Sequence, residues 1–132
     1  MRTRVSVYAL ALHDDHVLLA QLAQHTFRPG CWTLPGGTMD HGEQPTETLV
    51  REAFEETGLH ASGLELFHAE SYSESEGGLY MKVQLVYSAH MRGEPLVQEV
   101  GGTTSGAAWV PRGELASMHT IPLLDSVMAL VR

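Results

Sequence analysis

Cysteine and lysine are almost missing from this sequence of 132 residues, which holds one of each, Cys31 and Lys82. One cysteine excludes an internal disulfide and any zinc site built on several thiolates, and it fits a reducing cytosol, so a cytoplasmic protein is expected. Seven arginines lie scattered along the chain against 16 acidic residues, for a net charge of −8. The clustered basic footprint needed to wrap a long nucleic acid is therefore absent. No run of about 18 apolar residues occurs, so no membrane span is expected. Met1-Arg2-Thr3-Arg4 leads into alternating residues without a small-residue cleavage site, which argues against a signal peptide. Repeats, low-complexity tracts and linkers are missing too, and one domain over residues 1–132 is expected. A chain this poor in basic residues must recruit metal cations if it is to handle phosphates.

What is present is a globular composition, 43% hydrophobic and 18% charged. Residues 3–12 and 17–23 are apolar runs that read as strands, joined by the hairpin-like His13-Asp14-Asp15-His16. A short strand is expected at 31–34, and Pro35-Gly36-Gly37 then reads as a break in regular structure. Residues 45–57 read as a helix, with Pro45 in its first turn and Gly58 just past its end. Residues 64–71 and 79–91 read as strands, the second by strict alternation. A loop over 93–106, a strand at 107–110 and helical pieces near 114–118 and 123–131 complete the pattern. Strands and helices mixed in this way suggest a sheet covered on both faces by helices.

The informative stretch is GTMDHGEQPTETLVREAFEETGL, residues 37–59. On a helix turning about 100° per residue, Glu55 and Glu56 fall within about 60° of Glu52, so three carboxylates share one face. Val50, Ala53, Phe54 and Thr57 fall on the other side, where packing against a sheet is expected. Arg51 lies four residues before Glu55, within reach of a charge-assisted hydrogen bond. A Glu-rich face is commonly just a solvated surface, and on that reading Arg51 makes one more weak surface ion pair. The loop before the helix shifts the balance, because Pro35-Gly36-Gly37 lets the backbone approach a ligand and aim a carbonyl at a cation. Carboxylate and carbonyl oxygens together suit Mg²⁺ or Mn²⁺, not zinc.

These residues resemble the Nudix box, G-x5-E-x7-R-E-U-x-E-E-x-G-U, with U an aliphatic residue. Gly37, Glu43, Arg51, Glu52, Glu55, Glu56 and Gly58 occupy all seven fixed positions, and Ala53 and Leu59 the aliphatic ones. Chance alone matches seven such positions with a probability on the order of 10⁻⁸ per starting residue. Trp32-Thr33-Leu34-Pro35-Gly36-Gly37 and the later Trp109-Val110-Pro111 are similar to the family as well. The resemblance implies an α/β/α sandwich with a central mixed β-sheet. It implies Mg²⁺-dependent hydrolysis of a nucleoside diphosphate linked to another group, such as ADP-ribose or a nucleoside triphosphate, to a nucleoside monophosphate. By position, Glu52, Glu55, Glu56 and the Gly36 carbonyl would hold metal, Arg51 would orient Glu55, and Glu43 would hold the loop or a water. Glu52 is the first candidate for general base. Glu74, Glu76, Glu94 and Glu99 are candidates outside the box, and a homodimer is a further implication of the resemblance.

Other residues carry weaker signals. The eight histidines form no metal motif and Cys31 reads as a small buried residue. Phe27, Trp32 and Tyr80 are candidates for base stacking, though core packing is the ordinary role of Trp32 and Trp109. Arg28, Lys82 and Arg92 are candidate phosphate partners. Lys82 and Gln84 lie on the polar face of the 79–91 strand, where they can line a cleft, and the 98–106 loop is a place for substrate choice. Two rival functions share the fold: a catalytically silent nucleotide-binding sensor, and an isomerase acting on an isoprenoid diphosphate. The complete set of acids speaks against the first, and the second would rest on Cys31 alone.

Overall fold

The structure, a computed structural model, describes residues 2–74 and 80–132, with nothing stated of the Glu74 side chain. Strand β1 (Arg2–Leu10) runs parallel to β7 (Tyr80–His90) and antiparallel to the short β5 (Gly36–Thr38). Strand β6 (Ser62–Glu74) pairs antiparallel with β7, so the order β5-β1-β7-β6 makes a mixed sheet. A second, antiparallel sheet is built on β3 (His16–Leu22), with β8 (Thr104–Pro111) along one side and β2 (Leu12–His13) and β4 (Trp32–Thr33) along the other.

Alternate residues of β1 feed two cores. Val7 and Ala9 pack with Leu18 and with Leu49 and Ala53 of helix α1 (Pro45–Thr57). Tyr8 and Leu10 pack with Leu19, Val86 and Val110, and with Leu123, Leu124 and Val127 of helix α2 (Pro122–Met128). A helix on each side of the mixed sheet is the α/β/α sandwich expected.

The turn between β2 and β3 forms because Asp14 and Asp15 both take positive φ, +48° and +60°. That conformation suits the two-residue turns that match strand twist. The apolar run 3–12, however, is two strands and not one: the chain leaves the mixed sheet after Leu10 and enters the second sheet at Leu12. Periodicity cannot show this change, because the segment from Val7 to Ala11 is buried on both faces and is apolar throughout.

Pro35-Gly36-Gly37 is also more regular than expected. Gly36 and Gly37 belong to β5, and a Cβ on Gly36, whose φ is +154°, would lie 2.0 Å from the Val7 carbonyl oxygen. Glycine here admits a close strand contact. β4 is shorter than expected, β6 and β8 are longer, and the first of the late helical pieces is a 3₁₀ turn over Arg112–Ser117.

Candidate active site

Helix α1 presents the site. Pro45 opens it, the Gln44 N–H donates to Glu47 at 3.0 Å, and Gly58 at φ +70° closes it by donating to the Phe54 carbonyl at 2.8 Å. Its packed face differs from the expected one. Thr48, Leu49, Ala53, Glu56 and Thr57 are buried, whereas Val50 is half-buried and Phe54 is 47% exposed. The buried stripe is thus turned toward Glu52 and Glu56, and the helix presses its acids against β5 instead of holding them to solvent.

Glu56 is 7% exposed and accepts a hydrogen bond from the Gly36 N–H at 2.9 Å. Burial pushes its carboxyl up to about 8, against the Gly36 bond, with the charge of Glu52 adding to the rise. Thr104, from the second sheet, also reaches Glu56, which therefore sits in the seam between the sheets. Glu52 lies across Gly37, where an added Cβ would stand 2.8 Å from the Glu52 carboxyl carbon. Burial raises Glu52 above the ordinary carboxylate range, and the negative charge of Glu55 adds to that.

The register shows how Gly36 faces. Ala9 donates to the Pro35 carbonyl and Met39 to the Val5 carbonyl, so hydrogen-bonded pairs alternate and Val7 with Gly37 is one of them. The N–H and C=O of Gly36 consequently point away from β1, off the open edge of the sheet. The N–H meets Glu56 there, and the carbonyl is turned to the same edge.

Arg51 gathers the remaining acids. It grips Glu43 with two bonds, Nη2 to Oε1 at 2.8 Å and Nε to Oε2 at 3.1 Å. It also reaches Glu52 at 3.0 Å, Asp40 at 3.3 Å and Glu55 at 3.4 Å. The Glu55 contact is the longest of the set. Glu43 in turn accepts from the Thr48 hydroxyl and the Asp40 N–H, which ties the loop before the helix in place. Arg51 is the first cause holding the Glu43 carboxyl down at about 2.

The side chains of the candidates Glu74 and Glu76 lie outside the described residues, and of the other two outside the box, Glu94 and Glu99, the fold brings Glu99 to the site. Gln98 and Glu99 both donate their backbone N–H to the Glu55 carbonyl, at 2.8 and 3.0 Å, docking this segment on the end of α1. The Glu99 side chain then meets that of Glu55, whose carboxyl is raised by burial and by this neighbour. Glu94 is exposed, no feature of the described site reaches it, and Glu76 lies outside the described residues. Phe27 and Arg28 are exposed, Trp32 packs on the core beside α2, and Arg92 is exposed and bonds the Met91 carbonyl. The role of Thr104 carried no sequence signal, since its partner lies 48 residues earlier.

The donor set consists of hard oxygens crowded by their own charge. Among the described residues no three such side chains already form a metal cluster; oxygens of Glu52, Glu55 and Glu56 bond Arg51 or the Gly36 N–H. Asp40, Glu43, Glu52, Glu55, Glu56 and Glu99 have one guanidinium among them. That charge deficit fits a divalent cation.

The chain matches the NUDIX domain family over residues 2–129. It belongs to the Nudix family. It is 36% identical over 120 residues to the human 8-oxo-dGDP phosphatase NUDT18, covering 87% of this chain and 35% of that protein. The chain thus spans about a third of this curated relative's length. Among solved structures, a MutT NUDIX hydrolase from Burkholderia pseudomallei superposes with a TM-score of 0.84 at 26% identity, covering all of both chains. The NUDIX domain of Shewanella oneidensis NrtR, solved with ADP ribose, shares the fold at a TM-score of 0.75 and 24% identity, over 97% of this chain and 84% of that one. Nudix hydrolases generally use divalent metal ions.

Proposed function

We propose that the protein, as one Nudix domain over residues 1–132, is a Mg²⁺-dependent pyrophosphohydrolase. It cleaves a nucleoside diphosphate linked to another group, either a nucleotide sugar such as ADP-ribose or a nucleoside triphosphate, and releases a nucleoside monophosphate. One observation carries this reading: Glu52 and Glu56 lie against β5, Arg51 ties Glu52 to Glu55, Glu43 and Asp40, and Glu99 meets Glu55, so that among the described residues this chain of six carboxylates has Arg51 as its one cationic partner. A diphosphate, itself anionic, enters such a place only with added positive charge.

Glu52, Glu55, Glu56 and the Gly36 carbonyl are the residues that would hold Mg²⁺ or Mn²⁺. Bound there, the ion neutralises the diphosphate oxygens and lowers the pKa of a bound water. Glu52 accepts the proton as water attacks phosphorus, and its raised affinity for protons suits that task. Glu99 is the second candidate, brought beside Glu55 by its loop. Arg51 positions Glu52 and, through Glu43, the loop that carries Asp40.

The test is to incubate the purified protein with Mg²⁺ and ADP-ribose, 8-oxo-dGDP and nucleoside triphosphates, with and without EDTA, in ¹⁸O water. Metal-dependent release of nucleoside monophosphate supports the reading, and the labelled product identifies the attacked phosphorus. Tight nucleotide binding with no turnover of any substrate would overturn it in favour of a silent sensor.

A further inference from the structure

The mixed sheet has a second face, turned away from α1, and across it the strands align Gly36 with Tyr8 and Val86, and Thr38 with Ser6 and Gln84. Tyr8 and Val86 disappear into the core beneath α2. The second row is enclosed yet polar, with Ser6 at 0% and Gln84 at 4% exposure. Ser6 is satisfied by Thr38, oxygen to oxygen at 3.2 Å. Gln84 is not, for among the described residues its amide has no hydrogen-bond partner. Since no fully buried side-chain N or O atom is left unpartnered among the described residues, both polar atoms of the Gln84 amide keep some accessible surface.

A fixed amide with donor and acceptor both free is suited to read a hydrogen-bonding edge. Lys82, the neighbour of Gln84 on this face of β7, bends back toward it, with Nζ 5.8 Å from the centre of the Tyr8 ring. Among the described residues Lys82 has no carboxylate partner. From Gly36 to Gln84 is two strand spacings across and two residues along, roughly 12 Å, a span that a nucleoside diphosphate bridges.

We propose that Gln84 is a specificity-determining residue that reads the nucleobase of a substrate whose diphosphate lies at the carboxylate site. The inference rests on the function proposed above. The matching chemistry is a base edge with a donor beside an acceptor, as in the amino and ring nitrogens of adenine or the N–H and carbonyl of an oxidised guanine.

Calorimetric titration of the intact chain with AMP, 8-oxo-dGMP and base-free ribose 5-phosphate tests it, in the wild type and in Gln84→Leu and Gln84→Glu. The nucleotide bound more tightly by the wild type should lose roughly 10- to 100-fold in affinity in both variants, while ribose 5-phosphate binding stays the same. Gln84→Glu retains the shape of the side chain and an unchanged Tm certifies its fold. Equal loss of ribose 5-phosphate, unchanged nucleotide affinity, or no wild-type preference for a nucleotide over ribose 5-phosphate overturns the inference. Wild-type turnover with Mg²⁺ separates the two failures. Turnover without a Gln84 effect sinks this inference alone, and absence of turnover on every diphosphate sinks the function beneath it.

Discussion

Replacing Glu56 by glutamine should stabilise the metal-free protein while it destroys catalysis. The Glu56 carboxyl has an ordinary value of 4.5 and rises to about 8 in the folded chain, chiefly because burial penalises the anion. Between those values the unfolded chain has released its proton and the folded chain still holds it. The unfolded state then binds fewer protons, so stability falls as pH rises. The loss is about 1.4 kcal/mol per pH unit, hence on the order of 4 kcal/mol between pH 5 and 8. Below about 4.5 both states are protonated and the effect vanishes. Glu56→Gln removes this dependence, and its amide oxygen can still accept from the Gly36 N–H. Urea unfolding in EDTA at several pH values from 5 to 8 should show the two proteins converging at low pH and the variant increasingly more stable at high pH. Added Mg²⁺ should stabilise the wild type more than the variant, because a ligand stabilises the state that binds it. A difference between the two proteins that stays flat with pH, or shrinks as pH rises, would refute burial of a carboxylate as its origin.

Glu52→Gln should lower turnover by roughly 10²–10⁴-fold with little change in Tm. Near-normal kcat in that folded variant would transfer the base to Glu99, to be checked with Glu99→Gln. Arg51→Ala should cost roughly 10- to 100-fold in kcat/KM or in Mg²⁺ affinity, since it releases Glu43 and unsettles Glu52; Mg²⁺ titration of activity measures it. The adjacent glycines should separate by readout. Gly36→Ala places a Cβ against the backbone of β1 and should cost at least about 2 kcal/mol of stability. Gly37→Ala meets only the movable end of Glu52 and should reduce kcat far more than Tm. Equal Tm loss in both would contradict the close strand contact at Gly36.

The helix that carries the acids was legible because its signals are local: Pro45, Gly58 and the 3.6-residue spacing all act within one segment. Its orientation was not. Counting apolar positions placed Phe54 inward, yet Phe54 is exposed and the short or polar Thr48, Ala53, Glu56 and Thr57 are buried. Small residues let α1 settle close to β1 and β5, and proximity to the sheet, not hydrophobicity alone, chose the buried stripe. The strand at Gly36–Thr38 escaped notice for a related reason. Its evidence is the space denied to a side chain by Val7, about 30 residues earlier in the chain.

The order of residues by itself determined which groups share one helix face: three glutamates within about a turn, an arginine just before the first of them, and two glycines ahead of the helix. Helical geometry is set by neighbouring residues, so this much follows from spacing. Only the tertiary structure decided that Glu56 is buried in the seam between two sheets, that Glu99 and not Glu94 joins the cluster, and that the Gln84 amide has no partner among the described residues. Those outcomes depend on contacts between segments distant along the chain, and desolvation and charge repulsion act on such contacts through space, where sequence separation has no meaning.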